Sequence, residues 1–313
     1  MYCAGCRLNG GNSLVSAQSR EYFKQLHETP AFGAEGFDLV ELREIMEARR
    51  EPTIAGVECR ATEIEGMPAT WVIAEGADSD LRLLYLHGGG YVSGSGAFYL
   101  AMAAHVSAAA GCAVLLLDYR LAPENPFPAA LQDCIRAHEW LLLWGPKGAA
   151  AARATFIGGD SAGGGLTLST LLALRDRALQ LPRGGIALSP FADLTLEGAS
   201  IGSEGELDPI MSPHCLPDFV ALYLGDADAR DPLVSPAFGD YAGIPPLLFQ
   251  VGEHEVIRDD SVQAAEKARA DGVDVTLEIW PGMFHVFQSH EPLLPEAREA
   301  VDHIGEFVRA RVL

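Results

Sequence analysis

The sequence predicts an α/β fold built on one mostly parallel sheet with helices on both faces. Three observations carry the prediction. Apolar runs of strand length recur down the chain with helical stretches between them, the pattern of strands buried on both faces. Of 313 residues, 49% are hydrophobic, enough for one large core. Finally, Gly159-Asp160-Ser161-Ala162-Gly163 follows the apolar run 154–157 and precedes a helix-like run from 164 to 178. Such a strand-turn-helix junction lifts its central residue clear of the sheet.

In chain order, residues 1–50 read as a helical segment. Around 19–27, Tyr22, Phe23 and Leu26 share one side. Asp38-Leu-Val-Glu41 has the capping-box pattern, and Leu39, Leu42, Ile45 and Met46 follow at helical spacing with Glu41, Arg43, Glu44 and Glu47 opposite. Pro52 ends this stretch. Residues 57–64 and 69–74 read as a hairpin. Strand runs at 81–86, 113–117, 154–157, 185–188, 247–251 and 275–279 then alternate with helices. From about 194 to 231 the rhythm breaks into an acidic stretch rich in Gly and Pro, too long for a simple connection. It reads as an insertion at a strand end, where function concentrates. The predicted organisation is a helical segment 1–50 and an α/β domain 51–313 carrying an insertion at about 194–231.

Composition excludes several classes of partner. A net charge of -21 argues against nucleic acid and anionic membrane surfaces. No run of 18 apolar residues spans a membrane. The cysteines at 3, 6, 59, 112, 134 and 215 are scattered, several inside apolar runs where a thiol packs as a small core group. Cys3-x-x-Cys6 lacks the second pair of a zinc site and the βαβ setting of a redox motif, and no basic or apolar stretch precedes it as a lipoprotein leader would. The expectation is a protein of the reducing cytoplasm that needs no metal and no cofactor.

The chemistry is carried by Ser161. A Gly-rich turn before a helix can also hold phosphate, but neither G-x-G-x-x-G nor G-x-x-x-x-G-K-[ST] reads through this site and no lysine lies near it. In G-x-S-x-G the glycines leave room for neighbouring backbone, and the helix that follows points its positive end at the serine, where negative charge builds up. A serine nucleophile needs a base, and the base an orienting acid. His27, His138 and His303 sit in helical segments, whereas His285 lies in Trp280-Pro-Gly-Met-Phe-His285 just past the last predicted strand, where α/β active sites assemble. The acid is expected in the loop 252–260 after the preceding strand, given the chain order Ser, acid, His. Glu253 is too close to the strand end, Asp259 and Asp260 look like the start of a helix, and Glu255 is the expected acid. Oxyanion donors are expected from Gly88, Gly89 and Gly90 in His87-Gly-Gly-Gly90, with the N–H of Ala162 completing the hole. His87 reads as an anchor of that loop, not a second base.

Taken together these residues resemble the bacterial esterase branch of the hormone-sensitive lipase family of α/β-hydrolases. The resemblance rests on His87-Gly-Gly-Gly90, Asp118-Tyr-Arg-Leu-Ala-Pro-Glu124 with Phe127-Pro-Ala-Ala130, Gly159-Asp-Ser-Ala-Gly163, Ser189-Pro190 with Asp193-Leu-Thr195, Asp231-Pro-Leu-Val-Ser-Pro236 and the 252–260 loop, in order over residues 57–313. It implies Ser161 as nucleophile, His285 as base, Glu255 as acid where many members have Asp, and Gly89 and Gly90 as the best of the glycine donors. It further implies that residues 1–50 and 194–231 form a helical cap over the acyl site, and a homodimer through the edge strand near 275–279. The expected function is a serine carboxylesterase cleaving short- to medium-chain esters through an acyl-enzyme, its partner a small-molecule ester. The alternatives are a lactone, aryl-amide or formamide hydrolase with the same triad and, remotely, a non-catalytic binding module, against which intact Ser161 and His285 count.

Overall fold

A computed structural model describes the backbone of residues 7–8 and residues 15–48, 55–205 and 207–312. The Cys3–Cys6 stretch and Pro52 lie outside the described residues. Nine strands form one sheet in the order β1-β11-β10-β9-β8-β4-β5-β3-β2. They are β1 (Arg7–Leu8), β2 (Val57–Ile64), β3 (Met67–Ala74), β4 (Asp78–Leu86), β5 (Cys112–Leu117), β8 (Ala154–Asp160), β9 (Gly185–Leu188), β10 (Leu247–His254) and β11 (Val275–Phe284). β6 (Trp144–Gly145) and β7 (Gly148–Ala149) form a separate small hairpin. Only β3 runs against its neighbours, pairing antiparallel with β2 and β5. The predicted hairpin is thus present, closed by Glu65-Gly66 with both residues at positive φ, as a two-residue turn with right-handed strand twist requires.

The helices are α1 (Ala17–Leu26), α2 (Leu39–Ala48), α3 (Leu100–Ala110), α4 (Ala129–Leu143), α5 (Ala162–Asp176), α6 (Ser200–Ser203), α7 (Leu216–Leu224), α8 (Arg258–Ala270) and α9 (Pro295–Arg309). Alternation along a strand sends successive side chains to opposite faces. Leu83 and Tyr85 pack with Met102 and Val106 of α3 and Ile304 and Phe307 of α9. Leu84 and Leu86 pack on the other face with Ile135 of α4, Leu168 and Leu171 of α5 and Ala264 of α8. Every residue of β5 and β8 is buried, which is why these strands read as continuous apolar runs.

Two helices lie between β1 and β2. Asp38 caps α2, its Oδ1 accepting from Val40 N (2.8 Å) and Glu41 N (3.1 Å). Arg43 of α2 reaches across to Val92 O (2.8 Å), Ala122 O (2.9 Å) and, through two parallel bonds, Glu124. Phe37 and Phe32 meet Phe219 of α7 at 5.1 and 6.1 Å between ring centroids, so the N-terminal segment and the insertion pack together. α1 lies elsewhere. Glu296 at the start of α9 accepts from Ser16 N (2.7 Å), and Tyr22 and Phe23 lie against Phe284 at the end of β11.

The last two strands differ most from the sequence expectation. Both run further, β10 to His254 and β11 to Phe284, through the Trp280-Pro-Gly stretch read as loop. Pairing survives because the register shifts: Gly252 faces Trp280 and His254 faces Phe284, so two extra residues of β11 are absorbed in a bulge. The outer edge of β11, the edge the resemblance assigned to a dimer, pairs with β1 at Glu278 and Ile279.

Candidate active site

The site forms at the carboxyl ends of β4, β8, β10 and β11. β8 passes into α5 with Ser161 as the sole residue between them, at φ 51°, ψ -121°. This strained backbone is the signature of a nucleophile elbow. Ser161 N donates to Leu188 O (2.9 Å) and Phe191 N to Ser161 O (2.8 Å), so the sheet and the loop after β9 hold the turn. A methyl group at Gly159 or Gly163 would overlap Leu86 O, which explains both flanking glycines.

The register shift places the next two residues side by side. Since His254 pairs with Phe284, Glu255 and His285 leave the sheet together. His285 Nε2 is 3.0 Å from Ser161 Oγ, and its Nδ1 is 3.0 Å from Glu255 Oε2. Glu255 is fully buried, and its Oε1 accepts from Ser189 Oγ (2.7 Å) and Gly252 N. A carboxylate only accepts, so Nδ1 carries the proton and Nε2 offers its lone pair to the serine hydroxyl. Burial pulls the His285 pKa down, but the bond and charge of Glu255, with the charges of Asp208 and Asp160, more than offset it and hold the imidazole above its ordinary value.

The other three carboxylates of the loop have other tasks. Glu253 lies within β10 and accepts from Gly282 N (2.9 Å). Asp259 and Asp260 do begin a helix, α8; Asp260 accepts from Ala192 N (2.8 Å) and Asp193 N (2.9 Å), and Asp259 from Ser200 N (3.0 Å). The remaining histidines also stay apart from the serine. His138 is buried beside Thr155 Oγ1 (3.2 Å), where burial lowers its pKa to about 4; His303 pairs with Glu278; His27 ends α1 against Phe23.

The glycine loop after β4 is aimed through its carbonyls. His87 Nδ1 donates to Gly88 O (2.7 Å), and Gly89 O accepts from Val92 N (3.1 Å), Ser93 N (3.0 Å) and Ser93 Oγ (2.8 Å). In a trans peptide N–H and C=O point opposite ways. Pinning these two carbonyls therefore turns the N–H groups of Gly89 and Gly90 to the other side. Ala162 opens α5, so its N–H has no intrahelical acceptor. Gly88 departs from the expectation: its N–H donates to Tyr99 Oη (3.0 Å), so of the four expected donors Gly89, Gly90 and Ala162 stay candidates. His87 is the anchor foreseen. Burial lowers its pKa, its ring stacks on Tyr119 at 4.3 Å, and Tyr119 Oη donates to His87 O (2.6 Å). The Asp118–Glu124 motif is thus a buttress for this loop, adding Ala122 N to Tyr91 O (3.0 Å) and the Glu124 pair to Arg43.

Five residues near the serine escaped sequence reasoning as participants. Ser189, at φ 45°, donates to Glu255 and accepts from Val286 N (3.2 Å), tying the acid to the residue after the base. Its Ser-Pro signature was legible, its task was not. Asp208 of the insertion is buried, pushed by burial to about 6, and accepts from Val256 N (3.0 Å) beside Glu255. Asp160, also raised by burial to about 6, accepts from Tyr99 (2.8 Å) and Tyr85 (2.9 Å). Tyr85 and Tyr99 leave no local signal, because Asp160 is distant in sequence, and the local bonds of Asp208, from Ile210 N and Met211 N, do not reveal its distant one to Val256. Among the described residues, no group of three or more His, Cys, Asp or Glu is arranged to hold a metal, and no helix is long and apolar enough to cross a membrane.

The fold and this arrangement define a class, the α/β hydrolases with a serine at the strand-helix turn. The α/β hydrolase fold family model matches residues 83–289. An acetyl-hydrolase of Streptomyces hygroscopicus is 43% identical over 241 residues, which cover 77% of this chain and 79% of the relative. The esterase EstE5, in a crystal structure soaked with p-nitrophenyl butyrate, superposes with a TM-score of 0.88 at 40% identity, covering 95% of this chain and 99% of that one. An esterase of the bacterial hormone-sensitive lipase family gives 0.85 at 39% identity, with 96% and 100% covered. The chain belongs to the bacterial hormone-sensitive lipase family of α/β hydrolases. As an enzyme it is a carboxylic ester hydrolase.

Proposed function

We propose that the enzyme cleaves short- to medium-chain esters with Ser161 as nucleophile, His285 as base and Glu255 as orienting acid. One observation carries this: the continuous chain Ser161 Oγ–His285 Nε2 and His285 Nδ1–Glu255 Oε2, 3.0 Å at each step. Ser161 attacks the acyl carbonyl and passes its proton to Nε2. The N–H groups of Gly89, Gly90 and Ala162 take the oxyanion, each worth about 2.7–4 kcal/mol in the transition state. The imidazolium returns the proton to the leaving alcohol, and an acyl-enzyme forms. Water, deprotonated by His285, then releases the acid and frees Ser161. Glu255 holds the tautomer and stabilises the imidazolium without taking its proton.

The preference for small acyl groups rests on the insertion. The ring of Phe219 presses on the Cα of Gly90, where a methyl would overlap it, and Phe32 and Phe37 pack behind. Phe32, Phe37 and α2 act with the insertion as a cap, fixed beside the oxyanion loop by Arg43. A reducing cytoplasmic setting suits Cys112, Cys134 and Cys215, which are buried free thiols. A homodimer through the edge of β11 requires β1 to leave Glu278 and Ile279. The test is a panel of p-nitrophenyl esters of graded chain length with a lactone and an anilide, beside Ser161→Ala. Butyrate or hexanoate esters turn over fastest and Ser161→Ala is inactive; faster cleavage of long-chain esters, or of the lactone or anilide, overturns the substrate class.

A further inference from the structure

Asp160 is a buried carboxylate adjoining the nucleophile, and each of its oxygens accepts from a tyrosine. Oδ1 accepts from Tyr85 Oη (2.9 Å) and Oδ2 from Tyr99 Oη (2.8 Å). The same Tyr99 hydroxyl accepts from Gly88 N at 3.0 Å. A phenol has one proton to give and lone pairs to receive. Having given its proton to Asp160, Tyr99 Oη can act toward Gly88 only as acceptor, so the chain Gly88 N–H, Tyr99 O–H, Asp160 carboxylate has one direction. Both tyrosines and the aspartate are buried, so water does not substitute for any link.

The two ends of that chain are the two halves of the acyl site. Gly88 precedes the donors Gly89 and Gly90, and Asp160 precedes Ser161. The strands that deliver them are neighbours, with Leu86 of β4 opposite Gly159 of β8. Sheet pairing ends at those residues, and beyond it the Tyr99 hydroxyl bridges the loops. The fit is close: a methyl at Gly88 would overlap Asp160 Oδ2 and lie 2.8 Å from Tyr99 Oη. Both peptides flanking the Gly88 Cα are thus held, one at its N–H by Tyr99 and the other at its carbonyl by His87.

We propose that Tyr99 is a positioning residue for the reaction: its hydroxyl, braced on Asp160, sets the oxyanion donors of the glycine loop at their working distance from Ser161. The proposal rests on the serine esterase reading above. Without the hydroxyl the buried Gly88 N–H keeps only the Asp160 carboxylate beside it, and the peptide turns toward that charge. The Gly89 N–H, one peptide further on, turns with it. Tyr85 supplies the comparison, since it makes an equivalent bond to Asp160 but none to the glycine loop.

The experiment compares Tyr99→Phe and Tyr85→Phe. Each is assayed on p-nitrophenyl butyrate for kcat and KM separately, for inhibition by butylboronic acid, which places an oxygen in the hole, and for melting temperature. Tyr99→Phe lowers kcat 10- to 100-fold with KM within about twofold, in the range of weakening one oxyanion donor, and weakens the boronate by a similar factor. Tyr85→Phe loses at least tenfold less on both measures. If Tyr99→Phe does not fold, Asp160→Asn replaces it, since the amide can no longer accept from both tyrosines, and the same fall in kcat and boronate affinity is expected. Equal losses in the two tyrosine variants, or a Tyr99→Phe kcat within twofold of the parent, overturn the proposal. Failure of the esterase reading shows separately, as a parent enzyme that neither turns over the ester nor reacts with a fluorophosphonate.

Discussion

Replacing Glu255 by glutamine tests the triad at its most specific point. Oε1 of Glu255 receives two donors, Ser189 Oγ–H and the Gly252 N–H, and Oε2 receives one, His285 Nδ1–H. A carboxamide has a single acceptor oxygen. Placed toward Ser189 and Gly252, that oxygen satisfies two buried donors and leaves the NH2 group facing Nδ1. Placed the other way, it turns the NH2 toward two donors, one of them a backbone N–H that cannot rotate, at about 1–3 kcal/mol for each buried group left unpaired. The first arrangement wins. Nδ1 must then accept, the imidazole proton moves to Nε2, and Nε2 can no longer take the proton of Ser161. A triad in the wrong tautomer loses about 10⁴ in kcat, or ~5.4 kcal/mol at 1.36 per decade. The assay is steady-state hydrolysis of p-nitrophenyl butyrate at pH 8, with a thermal melt to show the fold intact. Glu255→Asp keeps the charge but withdraws it by one methylene, a misplacement of order 1 Å that can cost about 10²-fold. A folded Glu255→Gln enzyme within tenfold of the parent kcat would refute the tautomer argument.

Three further outcomes follow from the same structure. kcat/KM rises with pH along an acid limb whose midpoint lies above 6.5, because His285 works only when neutral; Asp208→Asn removes a nearby negative charge and moves the midpoint down, and an unmoved limb would separate Asp208 from the triad. Gly90→Ala forces a methyl into Phe219 at φ 62°, so kcat falls by about 10²–10³; adding Phe219→Ala recovers part of it, and Phe219→Ala alone raises the octanoate-to-butyrate rate ratio, both read from initial rates. The His303 pKa is raised by its bond to Glu278, so the pair's contribution to stability is fully present below the unfolded value of about 6.5 and is lost as pH rises through the folded value. Urea titrations should then show His303→Ala costing more stability at pH 6 than at pH 9.

Much of this enzyme was legible in local sequence. Every strand run placed from apolar pattern lies within a strand, because a strand buried on both faces must be apolar throughout. The turn at Ser161 was legible because its conformation admits little but glycine on either side, and Gly159 and Gly163 do each face Leu86 O. His285 stood out by its place after the last strand.

The acid and the donor set were decided in three dimensions. Four carboxylates in nine residues differ little as sequence; Glu255 meets the histidine because a bulge in β11 keeps His254 opposite Phe284. Three consecutive glycines look alike, yet Gly88 spends its N–H on Tyr99 while its neighbours are turned the other way by carbonyls held at His87 and Ser93. Tyr85 and Tyr99 had no local signature, and Asp208 had only that of a turn closed on Ile210 N, since their bonds to Asp160 and Val256 join residues tens of positions apart and leave no trace in periodicity or spacing. Local physics dictates which segments are buried and where the chain must turn. Which buried polar groups then share a proton depends on strand register and on loops from different strands meeting at one end of the sheet, and that only the tertiary structure decides.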